Sequence, residues 1–419
     1  MSKAVHRTSL RYRVLSFLLG PAAFGHVVYR SFKDGGRRYF LQRLGLSYPL
    51  AKTPSILVHC ASVGELSAAR PLLSELCRRL PDHQLVISTN TPTAARLASG
   101  LSHQGVMHVY MPLDYPFAVS KLLSRIHPSS VLILETEIWP TLLFQTAKKR
   151  IATAIINGRL SSRTLRVHRL LRNEYRSSLR NLAAILARSE EDRLKFLELG
   201  AESRTTHTVG NLKYAAARTG MRPQPTAIRR PFVLAASTHE GEELQLVHHL
   251  PLLKQNNFLL VIAPRYPARG KQLCHQLQQK NLHVDMRSRQ DRVSDRTDVY
   301  IVDTLGELDS YLNEAVLVFM GGSLIPRGGH NILEPAGFGK CTIVGPHMDN
   351  FSLETRELMQ AGGIIQVSDN LDLGVQLARL VNDNRTRDHY GANAQQFIQQ
   401  NSPVLGHYMK HLQPLLKLH

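Results

Sequence analysis

Glu65 and Glu135 stand where short apolar runs give way to polar turns, Lys213 stands just before a proline-rich stretch, and each could move or balance charge. In His59-Cys-Ala-Ser-Val-Gly-Glu65, the turn Ser62-Val-Gly64 sets a carboxylate at a helix start, where the dipole favours negative charge. A carboxylate so placed either caps its own helix or takes a proton from a substrate hydroxyl. The run Val131–Leu134 ends in Glu135-Thr-Glu137-Ile-Trp139-Pro140, two carboxylates beside the only tryptophan. Glu137 suits a cap for a helix opened by Pro140, whereas Glu135 at the strand end needs a cation or a chemical use. Lys213, in Val209-Gly-Asn-Leu-Lys213, precedes a proline-rich stretch and could reach a phosphate or a leaving group.

A second set of residues suits an anionic ligand. The apolar run Ala315–Met320 leads into Gly321-Gly-Ser-Leu-Ile-Pro-Arg327-Gly-Gly-His330-Asn331-Ile332-Leu333-Glu334. Glycines let a backbone approach a ligand closely, and an arriving helix presents free N–H groups to negative charge. Ser237-Thr-His239-Glu-Gly-Glu242-Glu243 follows another apolar run and reads as a capped helix start that could also hold an anion. Pro264-Arg265 and Leu305-Gly306-Glu307 close two further runs. The chain has no Walker A lysine motif and no G-x-G-x-x-G fingerprint, which argues against an ATPase or a dehydrogenase.

These residues need a scaffold that brings strand ends together. From Ser55 onward, apolar runs of strand length alternate with helical patterns such as Glu65–Leu80 and Phe117–Ile126, the signature of parallel strands with crossover helices. The rhythm pauses over residues 213–231, rich in proline, and then resumes. The expected architecture is α/β: a first doubly wound domain over 51–212, that linker, and a second over 232–419, facing across a cleft. In such sheets ligands lie beyond the carboxyl ends of the strands. At 419 residues the chain has the length for two such cores.

A net charge of +20 demands an anionic partner. Aromatics make up only 6%, with no RNP1-like motif, so nucleic acid is not the expected partner. Residues 1–43 carry nine Lys or Arg against Asp34 alone, around the apolar stretch Val14–Tyr29 interrupted by Gly20-Pro21. That stretch is short of the roughly 20 residues of a spanning helix and fits a basic membrane-surface segment over residues 1–50. Arg163, Arg166, Arg169, Arg172, Arg176 and Arg180 would form one basic stripe if helical, facing lipid headgroups or an acidic acceptor. Four cysteines lack metal-ligand spacing and fit a reducing compartment, hence the cytoplasmic face of a membrane.

Taken in order, Ala61-Ser-Val-Gly-Glu65, Glu135-Thr-Glu-Ile-Trp-Pro140, Gly158-Arg-Leu-Ser161, Gly210-Asn-Leu-Lys213, Ser237–Glu243, Pro264-Arg265, Gly306-Glu-Leu308 and the glycine segment resemble the 3-deoxy-D-manno-octulosonic acid (Kdo) transferases of lipopolysaccharide biosynthesis. The resemblance implies a GT-B glycosyltransferase, acceptor side first and donor side second. It would move Kdo from CMP-Kdo to the lipid A precursor lipid IVA at the cytoplasmic face of the inner membrane. Inversion at the anomeric carbon is implied, without a metal or cofactor. It makes Glu65 the general base and gives Glu135 and Lys213 to transition-state stabilisation. Pro264, Arg265, Leu305, Gly306, Glu307, Asn331, Ile332, Leu333 and Glu334 would bind the CMP moiety. Tyr266-Pro-Ala-Arg269 departs from the family's usual continuation after Pro-Arg, and Gly158 stands where alanine is usual. The competing readings are a GT-B transferase or epimerase using another sugar nucleotide, and a non-catalytic basic lipid-binding scaffold.

Overall fold

A computed structural model of the chain describes residues 5–51, 54–101, 105–217 and 223–416, the side chains of residues 162 and 163 excepted. The chain forms two compact units, Met1–Ala216 with Pro403–His419, and Ala217–Ser402.

The first unit is built on seven strands: β1 (Ser55–His59), β2 (Gln84–Thr89), β3 (Met107–Tyr110), β4 (Pro128–Leu134), β5 (Ala152–Gly158), β6 (Ala184–Ala187) and β7 (Thr206–Thr208). They lie in the order β3-β2-β1-β4-β5-β6-β7, and every pairing is parallel. Alternate residues feed opposite faces: Ile56 and Val58 enter one core, Leu57 the other. Both faces are covered, which is why these strands read as unbroken apolar runs. The helix Val63–Arg79 buries Leu66, Ala69, Leu72, Leu73 and Leu76 at three- and four-residue steps against the first of those cores.

The second unit repeats the plan with β8 (Phe232–Thr238), β9 (Leu259–Pro264), β10 (Val284–Met286), β11 (Val299–Ile301), β12 (Leu317–Met320), β13 (Thr342–Val344) and β14 (Ile365–Gln366). Their order is β10-β11-β9-β8-β12-β13-β14, again parallel throughout. In each sheet the first strand lies inside: β1 between β2 and β4, β8 between β9 and β12. The chain therefore crosses over in opposite directions on either side of it, and the loops diverge at β1/β4 and at β8/β12.

Several expectations change. The second domain does not run from 232 to 419: it ends at Ser402, and the helix Val404–Leu416 returns to the first unit. Val404, Tyr408, Met409, Leu412 and Leu416 form its apolar face and lie in the first core beside Ile156 and Leu212. The segment 1–50 is not a separate body either. Its helices Leu10–Leu18, Gly20–Arg30 and Gly36–Arg43 bury Val27, Tyr39 and Arg43, and Arg43 donates to Asn90 Oδ1 at 2.9 Å. Asp114 holds the first of these helices through the Tyr12 hydroxyl at 2.9 Å. The same carboxylate accepts the N–H groups of Thr141 and Leu142. It thereby caps the helix Pro140–Lys148, the role expected of Glu137.

The arginine stripe is broken. Helices Ser162–Leu165 and Arg169–Leu179 are separate, His168 caps the second, and Arg172 pairs with Glu198 at 3.4 Å. The edge strands β7 and β14 were not expected. Thr206-His-Thr208 is polar, and β14 has two residues, so neither carries an apolar run.

Tyr408 joins the returning helix to the functional loops. Its hydroxyl accepts the Asn157 N–H at 3.1 Å and donates to the Gly210 carbonyl at 2.9 Å. Tyr408→Phe leaves both backbone groups without that partner in a dry environment. The expected loss is about 1–3 kcal/mol of unfolding free energy, read from a urea titration. An unchanged midpoint and slope would show that the bridge carries no stability.

Candidate active site

At the β1/β4 divergence the first unit gathers three carboxylates. Ser62 opens the helix Val63–Arg79 and accepts the Glu65 N–H at 3.3 Å. The Glu65 carboxylate turns back, taking the Ala61 N–H at 2.7 Å and the Ser62 hydroxyl at 3.1 Å. This is a capping box, so the structural role expected of Glu65 is present. The electrostatics add something capping does not need. Burial, then the charge of Glu135, raise the Glu65 carboxyl from 4.5 to about 8, with Glu137 adding to the shift. A carboxylate with that affinity is a competent base near neutral pH.

Glu135 sits just past β4 with φ of +57°, and only 6% of it is exposed. A non-glycine residue held there is strained by about 1–3 kcal/mol, a feature concentrated at functional sites. Its N–H bonds the Ile156 carbonyl, and Arg159 Nε meets its carboxylate at 2.7 Å. Arg159 follows β5, the parallel neighbour of β4, so adjacent strand ends supply the pair. Glu137 is handled differently. Burial works against its charge, but His59, Trp139 and Asn90 outweigh that and hold its carboxyl below 4.5. His59, fully buried on β1, places Nε2 3.7 Å from Glu137. Of the two glutamates in the motif, Glu135 therefore takes an arginine and Glu137 stays charged beside a histidine.

Lys213 begins the helix Lys213–Ala216, which packs against the helix carrying Glu65. Its N–H donates to Asn211 Oδ1, and the neighbouring Leu212 N–H donates to Asn157 Oδ1. Asn157 itself has φ of +51° beside a register shift in β5. The structure thus collects Glu65, Glu135 and Lys213 in one unit, and adds Arg159, His59, Asn157 and Tyr408 as their supports.

In the second unit the expected donor contacts share one sheet edge. Pro264 ends β9 with Arg265 exposed after it, and the Leu305-Gly306-Glu307 turn follows β11. Leu305 is 85% exposed, and Gly306 has φ of +84°. Arg287, then Thr304, hold the Glu307 carboxyl below its usual range, with Arg287 at 2.8 Å. Asn331 bridges Glu334 Oε1 at 3.0 Å and the Leu333 N–H at 3.2 Å, while Ile332 and Leu333 are buried.

One expectation about the glycine segment fails. Its first amides are not waiting for a ligand. Glu242, fully buried, accepts the N–H groups of Gly322 at 2.7 Å and of Ser323 and Leu324 at 3.0 Å, and that of His239 at 3.0 Å. The helix that follows, Leu333–Gly337, is little more than a turn and is capped by Asn331. Gly321 is required for a different reason: a Cβ there would lie 2.6 Å from the Ser237 carbonyl. The amides of Gly322, Ser323 and Leu324 are therefore not available to an anion at this edge. Arg265, Arg327, His239 and His330 surround it, and the two imidazoles meet at 2.8 Å through their Nε2 atoms.

Residues 38–216 match the family described as 3-deoxy-D-manno-octulosonic-acid transferase (kdotransferase). The 3-deoxy-D-manno-octulosonic acid transferase of Haemophilus influenzae is 30% identical over 394 residues, 91% of this chain and 92% of its own. Among solved structures, a glycosyltransferase from Rickettsia africae aligns with a TM-score of 0.58 at 14% identity, over 88% of this chain and all of its own. The UDP-GlcNAc 2-epimerase of Neisseria meningitidis aligns with a TM-score of 0.56 at 14% identity, over 85% of this chain and 99% of its own. At such identities the two structures establish the fold, the two-domain GT-B arrangement of parallel sheets.

The raised Glu65 carboxyl has a consequence for stability. Between pH 4.5 and about 8 the native chain holds a proton that the unfolded chain has released, so stability falls as pH rises through that window. Glu65→Gln abolishes this dependence. Its thermal midpoint should exceed the wild type's most at pH 8 and above, and least below pH 4.5. A constant difference across that range would mean that Glu65 ionises as an ordinary surface carboxylate.

Proposed function

Because this chain belongs to the 3-deoxy-D-manno-octulosonic acid (Kdo) transferase family, we propose that it transfers Kdo from CMP-Kdo to a hydroxyl of the lipid A precursor lipid IVA, with inversion at the anomeric carbon. The chain is a glycosyltransferase of lipopolysaccharide synthesis, and what is proposed is the donor, the acceptor and the route. The observation that carries the route is Glu65, a carboxyl lifted to about 8 at the end of β1.

Glu65 takes the proton of the acceptor hydroxyl as its oxygen attacks the anomeric carbon. The bond from that carbon to the CMP phosphate breaks, and its electron pair leaves on the phosphate oxygen. Glu135, fixed by Arg159, contributes negative charge near the carbon as positive charge develops there. It also sustains the basicity of Glu65. Lys213 offsets the charge on the departing group. Arg265 and the Leu305–Glu307 and Asn331–Glu334 turns hold the nucleotide. This route draws its positive charge from side chains, so activity is expected to persist in excess chelator.

The acceptor is a lipid, and the N-terminal helices suit a membrane surface. Phe17 is 77% exposed, Leu18 68% and Phe32 88%, among the basic residues Arg11, Arg13, Lys33 and Arg37. No described helix is long and apolar enough to cross a membrane. We place these side chains in the interface of the anionic cytoplasmic leaflet of the inner membrane. All four cysteines are free, as a reducing compartment favours.

Two measurements check the proposal. Incubated with CMP-Kdo and lipid IVA, the wild type should release CMP and yield a Kdo-bearing lipid by mass, and Glu65→Gln should lower kcat by about 10²–10⁴-fold. Release of CMP at an equal rate by both proteins would sink the base assignment. Paired substitution of Phe17 and Phe32 by glutamate should weaken sedimentation with anionic vesicles. Equal sedimentation would remove these helices from the membrane contact.

A further inference from the structure

Glu242 fills the amides of Gly322, Ser323 and Leu324, so at the start of this segment side chains are the groups left to meet the anion of a donor nucleotide. His239 follows β8 and His330 lies in the segment after β12, the two strands that flank the divergence in this sheet. Their Nε2 atoms are 2.8 Å apart, the ring centroids 5.0 Å, and the planes within 13°. At that separation one Nε2 carries a hydrogen and the other does not. The accepting ring then has its proton on Nδ1, and the donating ring has a bare Nδ1. A neutral pair therefore offers one N–H and one lone pair to a third group. One added proton gives both rings an outward N–H; these point away from each other, so an anionic oxygen meets one of them while the charge is shared through the Nε2 contact.

We infer that His239 and His330 work as one proton-sharing pair, one ring of which receives the phosphate of the donor nucleotide, and that the pair gains a proton as the phosphate binds. This rests on the reading of the second unit as the donor site.

The surroundings favour that order of events. Burial, then the neighbouring His239 and Arg265, lower His330 to about 4. Burial, then Arg327, Arg269 and Arg265, lower His239. The unliganded pair is thus neutral near pH 7. The negative groups nearby do not reverse this. Glu242 is turned to backbone amides, and Glu243 is paired with Arg269 at 2.8 Å. Tyr266 presents a ring edge to His239 at 5.8 Å. An entering phosphate counters the arginines and removes what suppresses protonation, so binding and proton uptake are linked. The backbone supports the placement. Ser237 has φ of +56° at a register shift in β8, which turns the following residues toward the edge. Gly322, with φ of +68°, leaves room for the His330 ring, which a Cβ there would approach to 3.0 Å.

The test is calorimetric titration of the full chain with CMP at pH 7.5, in buffers of different ionisation enthalpy, with cytidine as the ligand lacking phosphate. Uptake approaching about one proton per CMP bound is expected, with none for cytidine. Above about pH 7, where the CMP phosphate is already largely dianionic, CMP affinity should fall as pH rises, by up to about tenfold per unit. His239→Asn and His330→Asn, checked for folding by circular dichroism, should each abolish the uptake while retaining weaker CMP binding. CMP binding without uptake, or uptake unchanged in both variants, overturns the pair and leaves the donor reading standing. Failure of the wild type to bind CMP overturns both.

Discussion

Both units depend on a first strand that lies inside an all-parallel sheet. A parallel strand must be followed by a crossover, and a strand with neighbours on both sides sends successive crossovers to opposite faces. The loops leaving β1 and β4, and those leaving β8 and β12, therefore part from each other and leave backbone ends uncovered. Glu65 and Glu135 stand at the first parting, His239 and His330 at the second. Glu135 and Ser237, both with positive φ, stand at these ends, and Asn157, also with positive φ, lies near the end of the neighbouring β5. The sheets are dry, with Leu57, Val58, Leu234 and Ala235 all buried, and can hold such conformations because their neighbours cannot relax.

The two partings carry opposite electrostatics, and each suits a different half of a transfer reaction. In the first unit, carboxylates crowd one another. Glu135 is given Arg159 and Glu137 is given His59 and Asn90, while Glu65 has only the Ala61 N–H and the Ser62 hydroxyl. The least compensated member of the cluster is the one whose proton affinity rises. In the second unit, arginines crowd histidines, and it is the histidines that are discharged. Burial first, and like-charge crowding after it, thus raises the proton affinity of a carboxyl in one unit and lowers that of two imidazoles in the other.

Much of this was legible in the sequence because strands buried on both faces declare themselves as apolar runs. Runs such as Val131–Leu134 and Thr342–Val344 place the polar residues that follow them at strand ends without any knowledge of pairing. Glu65 and Glu135 were readable in that way, and Lys213 only by its place before the proline-rich stretch. Their supports were not, since Arg159 reaches Glu135, and Tyr408 reaches Asn157 and Gly210, only once strand order is set. The helix Val404–Leu416 shows the limit well. Its spacing of Val404, Tyr408, Leu412 and Leu416 announces a buried face, but not which of two cores will bury it. Asp114 likewise caps a helix 26 residues downstream, a role that local pattern gave to Glu137.

The glycine segment teaches the sharpest distinction. Consecutive glycines before a helix suggest amides that cradle a phosphate, and the local geometry does form a cradle. Its occupant is a carboxylate of the same chain, Glu242, reaching from the helix Glu242–His248 after β8. Burying that charge without partners would be prohibitive, and four N–H bonds from the segment and from His239 compensate it. The cradle consequently clamps β8's loop to β12's loop, which is what brings His239 and His330 within 2.8 Å. A motif read as ligand-binding is, in its first half, the brace that positions the residues left to bind. The brace thus leaves two titratable imidazoles beside each other where three of the segment's amides are already spent.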